Sequence, residues 1–419
     1  MRISLALLLC LIFSFTNAQK KKGCESSEKT KYDEDLRKKW EHDAYQPISK
    51  EEALKPIFKH VQIDYVDQPA QMKDLIDSVA IQTEKIMAAK KIDPEDFEKK
   101  SDIRDSLDSI EAHKMIGNIS KPFVIKSERK GKKWAILFVD FKYDEIFAFG
   151  AGYWISLSED GGKTWKKYYT GLTEHRNYYF KKNSKQPLWH DENHLQIEAD
   201  IVRMLEPRAH PSPPQYEAVK DNALIILDIN EIEKDSDGDG LTDIEERNLF
   251  LNPFSKDTDS DGITDSEDNN PRFASATNDF VKLYEGVILG ENVKSAGKYP
   301  NEDYFIDLIN SLKKNEDSEA SDKFYLRETI QLLVTDDINL QKINPKKSKI
   351  IILTSKEFEE YQKQYHSELK ELNYSPLFKC DKKPNVFLLK SSSTFTGKTE
   401  KIIRTKKGWK IITVTSWIS

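Results

Sequence analysis

The chain has 419 residues, of which 38% are hydrophobic and 32% are charged. At about 150 residues per domain, this length and composition predict a soluble globular protein of two or three domains. The 65 basic and 71 acidic residues give a formal net charge of -6, which is too even a balance for binding nucleic acid through bulk charge.

Residues 1–18 have the pattern of a secretory signal peptide. One positive charge at Arg2 precedes an apolar run from Leu5 to Phe15, and the small residue Ala18 closes the segment. The pattern predicts cleavage after Ala18 and export to the periplasm, the cell surface or the medium. No later stretch reaches the roughly 18 uninterrupted apolar residues of a spanning helix, so no transmembrane segment is expected after cleavage.

The sequence contains three cysteines, and cleavage would remove Cys10. In an oxidising compartment, Cys24 and Cys380 could pair and tie the N-terminal region to the C-terminal domain. Two separate thiols are the alternative, and the sequence does not choose between them.

Residues 19–114 are predicted to form a charged helical N-terminal region, either a packed hairpin or an interaction arm. Two stretches place apolar residues at helical spacing, and Asp93 with Pro94 is typical of the start of the second. The apolar positions are Leu75, Ile76, Val79, Ile86 and Met87 in the first stretch, and Phe97, Ile103, Leu107 and Ile110 in the second.

Residues 115–230 are predicted to form a β-rich domain, because short β-type runs alternate with turns rich in Lys, Gly and Asp. Within this region, residues 158–165 read SEDGGKTW and resemble the Asp-box of sialidases and other β-propellers. The resemblance implies that Asp160 accepts backbone N–H groups across a tight turn while Trp165 packs beneath the hairpin. A single box of this kind indicates a stabilised hairpin and not a catalytic site.

Residues 231–272 form an acidic block that contains a tandem repeat. Loop 1 (235–246) reads DSDGDGLTDIEE, and loop 2 (257–268) reads DTDSDGITDSED. Carboxylates recur at positions 1, 3, 5, 9 and 12 of both loops, with glycine at position 6. Calcium takes six to eight oxygen ligands, and alternate residues of a tightly curled loop can direct carboxylates at one point. The repeat therefore predicts two Ca²⁺ sites and disfavours an acidic disordered linker.

The block resembles thrombospondin type 3 repeats in their bacterial form, since Asp stands at position 9 and the repeats follow closely. That resemblance covers about a tenth of the chain. It implies one ion held by Asp235, Asp237, Asp239, Asp243, Glu246 and the Leu241 carbonyl, and another by Asp257, Asp259, Asp261, Asp265, Asp268 and the Ile263 carbonyl. The block lacks the cysteines of the animal repeats. Calcium and packing of Leu249, Leu251 and Phe254 are therefore expected to stabilise it.

Residues 273–419 are predicted to form a C-terminal α/β domain.

Two weaker patterns in the sequence give little indication of a catalytic or metal site. His190 and His194 lie four residues apart, but between strands, so a zinc site is disfavoured against a solvated loop. A hydrolytic triad could in principle be assembled from Ser355, His366 and either Asp336 or Asp337. However, no nucleophile-elbow glycines surround Ser355, which is instead predicted to cap a helix.

Taken together, the sequence predicts a multidomain α+β protein with a helical N-terminal arm, a β-rich middle domain, a short calcium-loop module and a C-terminal α/β domain. The expected function is structural Ca²⁺ binding that rigidifies the joint between the two larger domains. The protein would be a non-enzymatic envelope or secreted protein with a protein or glycan partner. The alternative is a secreted hydrolase, acting on glycans or peptides, with its site in the middle or C-terminal domain.

Overall fold

The computed structural model describes residues 24–42, 46–70, 78–93, 95–142, 152–173, 177–206, 215–295, 304–308, 330–346, 349–365, 372–393 and 396–418. The predicted signal peptide, Leu75, Ile76 and His366 lie outside these residues. The fold is mixed α+β, as the sequence predicts. Within the described residues, no helix is long and apolar enough to cross a membrane.

The N-terminal region is mainly helical. Its helices are α1 (Ser27–His42), α2 (Lys50–Ala53), α3 (Ser78–Lys90) and α4 (Phe97–Ala112). The region also supplies one strand that helical periodicity does not reveal. This strand, β1 (Val61–Tyr65), pairs antiparallel with β10 (Gln215–Asp228), so residues before 114 complete a sheet of the middle region.

The middle region contains two four-stranded antiparallel sheets. The further strands are β2 (Met115–Ile116), β3 (Ile119–Ser120), β4 (Val124–Lys130), β5 (Lys133–Asp140), β6 (Gly152–Ser158), β7 (Lys166–Thr173), β8 (Tyr178–Phe180) and β9 (His194–Glu206). One sheet has the order β1-β10-β9-β8, and the other has the order β4-β5-β6-β7. The sheets share one core, in which Tyr153 of β6 stacks on Phe180 of β8 with ring centroids 4.2 Å apart.

The acidic block connects this region to the C-terminal one. Helix α5 (Ile229–Ile232) leads into it, and loop 1 ends in α6 (Asp243–Asn248). Leu249 and Leu251 are buried in the core of the middle region, as expected. The expectation for Phe254 is wrong, because this side chain is 72% exposed in the turn after Pro253.

The C-terminal region is built on a nine-stranded mixed sheet with order β11-β12-β19-β18-β17-β15-β13-β14, where β16 also pairs with β17. Its elements are α7 (Asp279–Leu289), β11 (Val293–Ser295), β12 (Tyr304–Asp307), β13 (Gln331–Val334), β14 (Ile350–Leu353), α8 (Ser355–Tyr365), β15 (Leu372–Tyr374), β16 (Phe378–Cys380), β17 (Lys383–Ser392), β18 (Thr396–Arg404) and β19 (Gly408–Ile418).

Strand β14 lies between two hydrophobic cores and contributes side chains to both. Ile351 and Leu353 belong to the core of the middle region, whereas Ile350 and Ile352 belong to a second core around Trp409. Successive side chains of a strand point to opposite faces, and a parallel strand buried on both faces is continuously apolar. The run of isoleucines therefore joins the middle and C-terminal regions through packing.

Cys24 and Cys380 form a disulfide, with their Cα atoms 5.6 Å apart. The sequence alone does not choose between this pairing and two separate thiols. The bond anchors α1 on β16, where Tyr32 also packs against Phe378 with ring centroids 5.2 Å apart. Such a bond is compatible with export to an oxidising compartment.

Candidate metal centre

Loop 1 brings three carboxylates together. Ligand oxygens of Asp235, Asp237 and Asp239 lie within 4.8 Å of one another. The loop backbone holds them there, since the Gly240 amide donates to Asp235 Oδ2 at 3.2 Å and the Leu241 amide donates to Asp239 Oδ1 at 2.7 Å. Gly240 has φ of 103°, a conformation that favours glycine and explains position 6 of the repeat.

Glu246 closes loop 1 from the first turns of α6. A reciprocal capping box between Thr242 and Glu245 fixes the start of this helix. The Glu246 side chain is fully buried, and neither of its carboxylate oxygens has a hydrogen-bond partner. Burial, together with the nearby charges of Asp237 and Asp239, raises the pKa of Glu246 to about 8. An unpartnered buried carboxylate is costly, and a bound cation would remove that cost.

The position 9 carboxylates brace the two loops in the same way. Asp243 accepts hydrogen bonds from the amide and hydroxyl of Ser236 at 2.8 and 2.9 Å. Asp265 accepts the equivalent bonds from Thr258 at 2.9 and 2.6 Å. Neither belongs to the grouped triplets, so their role as ligands stays a prediction.

Loop 2 repeats the arrangement of loop 1. Ligand oxygens of Asp257, Asp259 and Asp261 lie within 4.8 Å of one another, and the Gly262 amide donates to Asp257 Oδ2 at 2.8 Å. Burial raises the pKa of Asp259 to about 6, with a contribution from the charges of Asp261 and Asp268. Its Oδ2 atom is buried without a partner.

Asp268 closes loop 2 but is bound differently from Glu246. Its side chain is buried, and its Oδ1 atom accepts the Asn270 amide at 2.9 Å. Lys349, immediately before β14, donates from Nζ to the backbone carbonyl oxygen of Asp265. Burial lowers the pKa of Lys349, while the charges of Asp268 and Asp265 oppose that change. Loop 2 therefore has a half-buried ammonium group as a neighbour.

The two loops also contact each other. The Ser266 amide donates to Asp239 Oδ2 at 2.9 Å, and the Ser266 hydroxyl donates to the Asp239 carbonyl at 2.8 Å. Lys256 Nζ donates to the Gly238 carbonyl at 3.1 Å. The sequence pattern does not indicate a role for Ser266 or Lys349. The repeat pattern marks only ligand positions, and Lys349 reaches the block through tertiary structure alone.

The two residues whose backbone carbonyls are predicted as ligands, Leu241 and Ile263, differ in burial. Leu241 packs half-buried against the core of the middle region, whereas Ile263 is 45% exposed. Both follow the glycine at position 6, and the Ile263 amide donates to Asp261 Oδ1 at 3.0 Å. Their role as calcium ligands stays a prediction.

The Asp-box segment is the turn between β6 and β7. Asp160 accepts the backbone amides of Lys163 and Thr164 at 2.9 and 3.0 Å, as the resemblance implies. The Trp165 indole donates to the Gly162 carbonyl at 3.0 Å and packs beside Trp134. The segment therefore closes the hairpin and also fixes it on the β4–β5 turn, where the Gly161 amide donates to the Lys132 carbonyl at 2.9 Å.

The weaker sequence patterns show no catalytic arrangement within the described residues. His190 bonds through Nδ1 to Gln196, and His194 bonds through Nδ1 to Asp191, next to the start of β9. The Ser355 amide donates to Asp336 Oδ1 at 3.0 Å. The helix cap predicted at Ser355 lies one residue earlier, because Thr354 and Glu357 exchange the capping hydrogen bonds.

Comparison of the chain with protein-family models, with curated proteins and with solved structures found no match. The geometry shows two aspartate triplets that could hold a metal ion.

Proposed function

We propose that this is an exported protein in which loops 1 and 2 each bind one structural Ca²⁺ and stiffen the joint between the β-rich middle region and the C-terminal region. Its role is that of a non-enzymatic envelope or secreted binding protein, with an extracellular protein or glycan as partner. The resemblance to thrombospondin type 3 repeats supports calcium as the ion.

One observation carries the proposal. Glu246 has two buried, unpartnered carboxylate oxygens beside the triplet of loop 1. The triplet, Glu246 and the Leu241 carbonyl together supply at least five oxygen ligands, and six when Glu246 binds through both oxygens. Calcium prefers such a shell of oxygens, whereas zinc prefers nitrogen and sulfur ligands. Extracellular sites of this class bind with a Kd of about 10⁻⁴–10⁻³ M, which suits an exported protein.

The surroundings of the loops support a role as a joint. Ile244, inside loop 1, and Leu249, just after it, are buried in the core of the middle region. At the other end, the Asn269 carbonyl accepts the Ile350 amide at 2.8 Å, and Asn270 Nδ2 donates to the Ile343 carbonyl at 3.0 Å. Ion binding would remove backbone freedom between these two anchored ends. The hydrolase alternative gains no support from the described residues.

Calorimetric titration of the mature chain with CaCl₂ tests the proposal. We expect two ions per chain. Glu246→Gln should remove or strongly weaken one site, and Asp268→Asn should weaken the other. Glu267→Gln is the matched control, because Glu267 is an exposed carboxylate of loop 2 outside the predicted ligands. Absence of calcium binding, or equal effects of all three variants, would contradict the proposal.

A further inference from the structure

The two loops differ at position 12 despite their common backbone. Glu246 is fully buried with both oxygens free of hydrogen bonds, whereas Asp268 has a shorter side chain and already accepts the Asn270 amide. A carboxylate with two free oxygens can bind calcium through both, as the position 12 glutamate of many calcium loops does. Loop 1 is therefore the better preformed shell.

The cations beside the two loops differ as well. Lys349 reaches loop 2 from the position just before β14 and is held half-buried at the Asp265 carbonyl, where the charges of Asp268 and Asp265 act on it. Beside loop 1, Lys256 donates to the Gly238 carbonyl, and both Lys234 and Arg247 form ion pairs with Asp243, but these three cations are exposed. An exposed charge is screened by water and salt, whereas a partly buried one is screened much less.

We propose that Lys349 sets the calcium affinity of loop 2, so that loop 1 fills first and loop 2 fills only at higher calcium concentration. The inference rests on the proposed function and adds the order in which the sites fill. The ammonium group repels a divalent ion in loop 2 and neutralises part of the carboxylate charge that would attract it. Because Lys349 belongs to the C-terminal region, the affinity of loop 2 depends on that region being in place.

Calorimetry on the full mature chain tests this assignment with CaCl₂ as the probe. The wild type should bind in two steps that differ at least tenfold in Kd. Lys349→Met should tighten the weaker step about tenfold and leave the stronger step within twofold. Lys349→Arg, which keeps a charge and a donor, should keep the wild-type gap. Lys256→Met, the matched control at loop 1, should leave both steps within twofold.

A second comparison does not depend on Lys349. Loop 2 alone, measured in Glu246→Gln, should bind more weakly than loop 1 alone, measured in Asp268→Asn. Two equal sites in the wild type, or a weaker step that Lys349→Met leaves unchanged, would overturn the inference while leaving calcium binding intact. Absence of any binding would instead contradict the proposed function, so the two failures are distinguishable.

Discussion

Glu246 is a residue whose titration a bound cation would change directly, because both of its carboxylate oxygens are buried without a hydrogen-bond partner. In the ion-free chain its pKa is raised to about 8, above the ordinary value for glutamate of about 4.3. The folded chain therefore binds more protons than the unfolded chain between these values. The contribution of Glu246 to the free energy of unfolding is therefore fully present below about pH 4.3 and is lost progressively as the pH rises through 8.

We expect the free energy of unfolding in EDTA to fall between pH 6 and 8, by at most about 1.4 kcal/mol per pH unit for this one group. Urea denaturation across this range measures the slope. Glu246→Gln should flatten it, because the amide does not titrate. In saturating calcium the slope should vanish over this range, since the ion-bound carboxylate is ionised in the folded chain as it is in the unfolded chain. Stability that rises with pH in EDTA would contradict this account.

At the residue scale, the sequence predicts positions 1, 3 and 5 of each loop well, because three alternate aspartates and a glycine determine the local turn. It could not predict that Asp243 turns to Ser236, nor that Lys349 enters loop 2. The first depends on side-chain hydrogen bonds within the loop, and the second on a contact between residues more than 80 positions apart.

Among the elements, the β6–β7 hairpin depends on the Asp160 turn. Asp160→Ala removes the acceptor for two backbone amides, so we expect a lower melting temperature with calcium binding unchanged. Lys163→Ala is the matched control, since its side chain is exposed and its amide is retained. Scanning calorimetry of both variants checks this, and equal melting temperatures would show that the box does not stabilise the fold.

The attachment of α1 depends on the Cys24–Cys380 disulfide. Replacing both cysteines by serine should lower the free energy of unfolding by about 2–4 kcal/mol. It should also speed trypsin cleavage after Lys29 and Lys31, because partly exposed contacts such as the Asp33–Lys390 ion pair would hold α1 less firmly without the covalent bond. Cleavage after Lys29 and Lys31 at wild-type rates would contradict this role.

Helical and strand periodicity predicts the class of most elements but not their partners. The helical spacing of Ile86 and Met87, and of Ile103 and Leu107, correctly indicates α3 and α4. Pairing of β1 with β10 and the order of the nine-stranded sheet depend on contacts distant in sequence. A pattern of apolar residues alone does not encode such contacts.

In the molecule as a whole, the acidic block (231–272) is packed between two larger structures. Leu249 and Leu251 enter the same core as Ile351 and Leu353 of β14, and Phe250 packs on Tyr361 of α8 with ring centroids 4.9 Å apart. The middle and C-terminal regions therefore meet around the block. Ordering the two loops should stabilise both regions together.

Thermal unfolding of the mature chain in 1 mM calcium and in excess EDTA is the sharpest test of calcium binding at this joint. We expect a melting temperature one to a few degrees higher with calcium, because each site with a Kd of about 10⁻⁴–10⁻³ M adds about 0.4–1.4 kcal/mol at that concentration. Asp239→Ala combined with Asp261→Ala should abolish the increase, whereas Glu267→Gln should retain it. An identical melting temperature in both buffers, with no calcium bound on titration, would contradict the claim that calcium stiffens this joint.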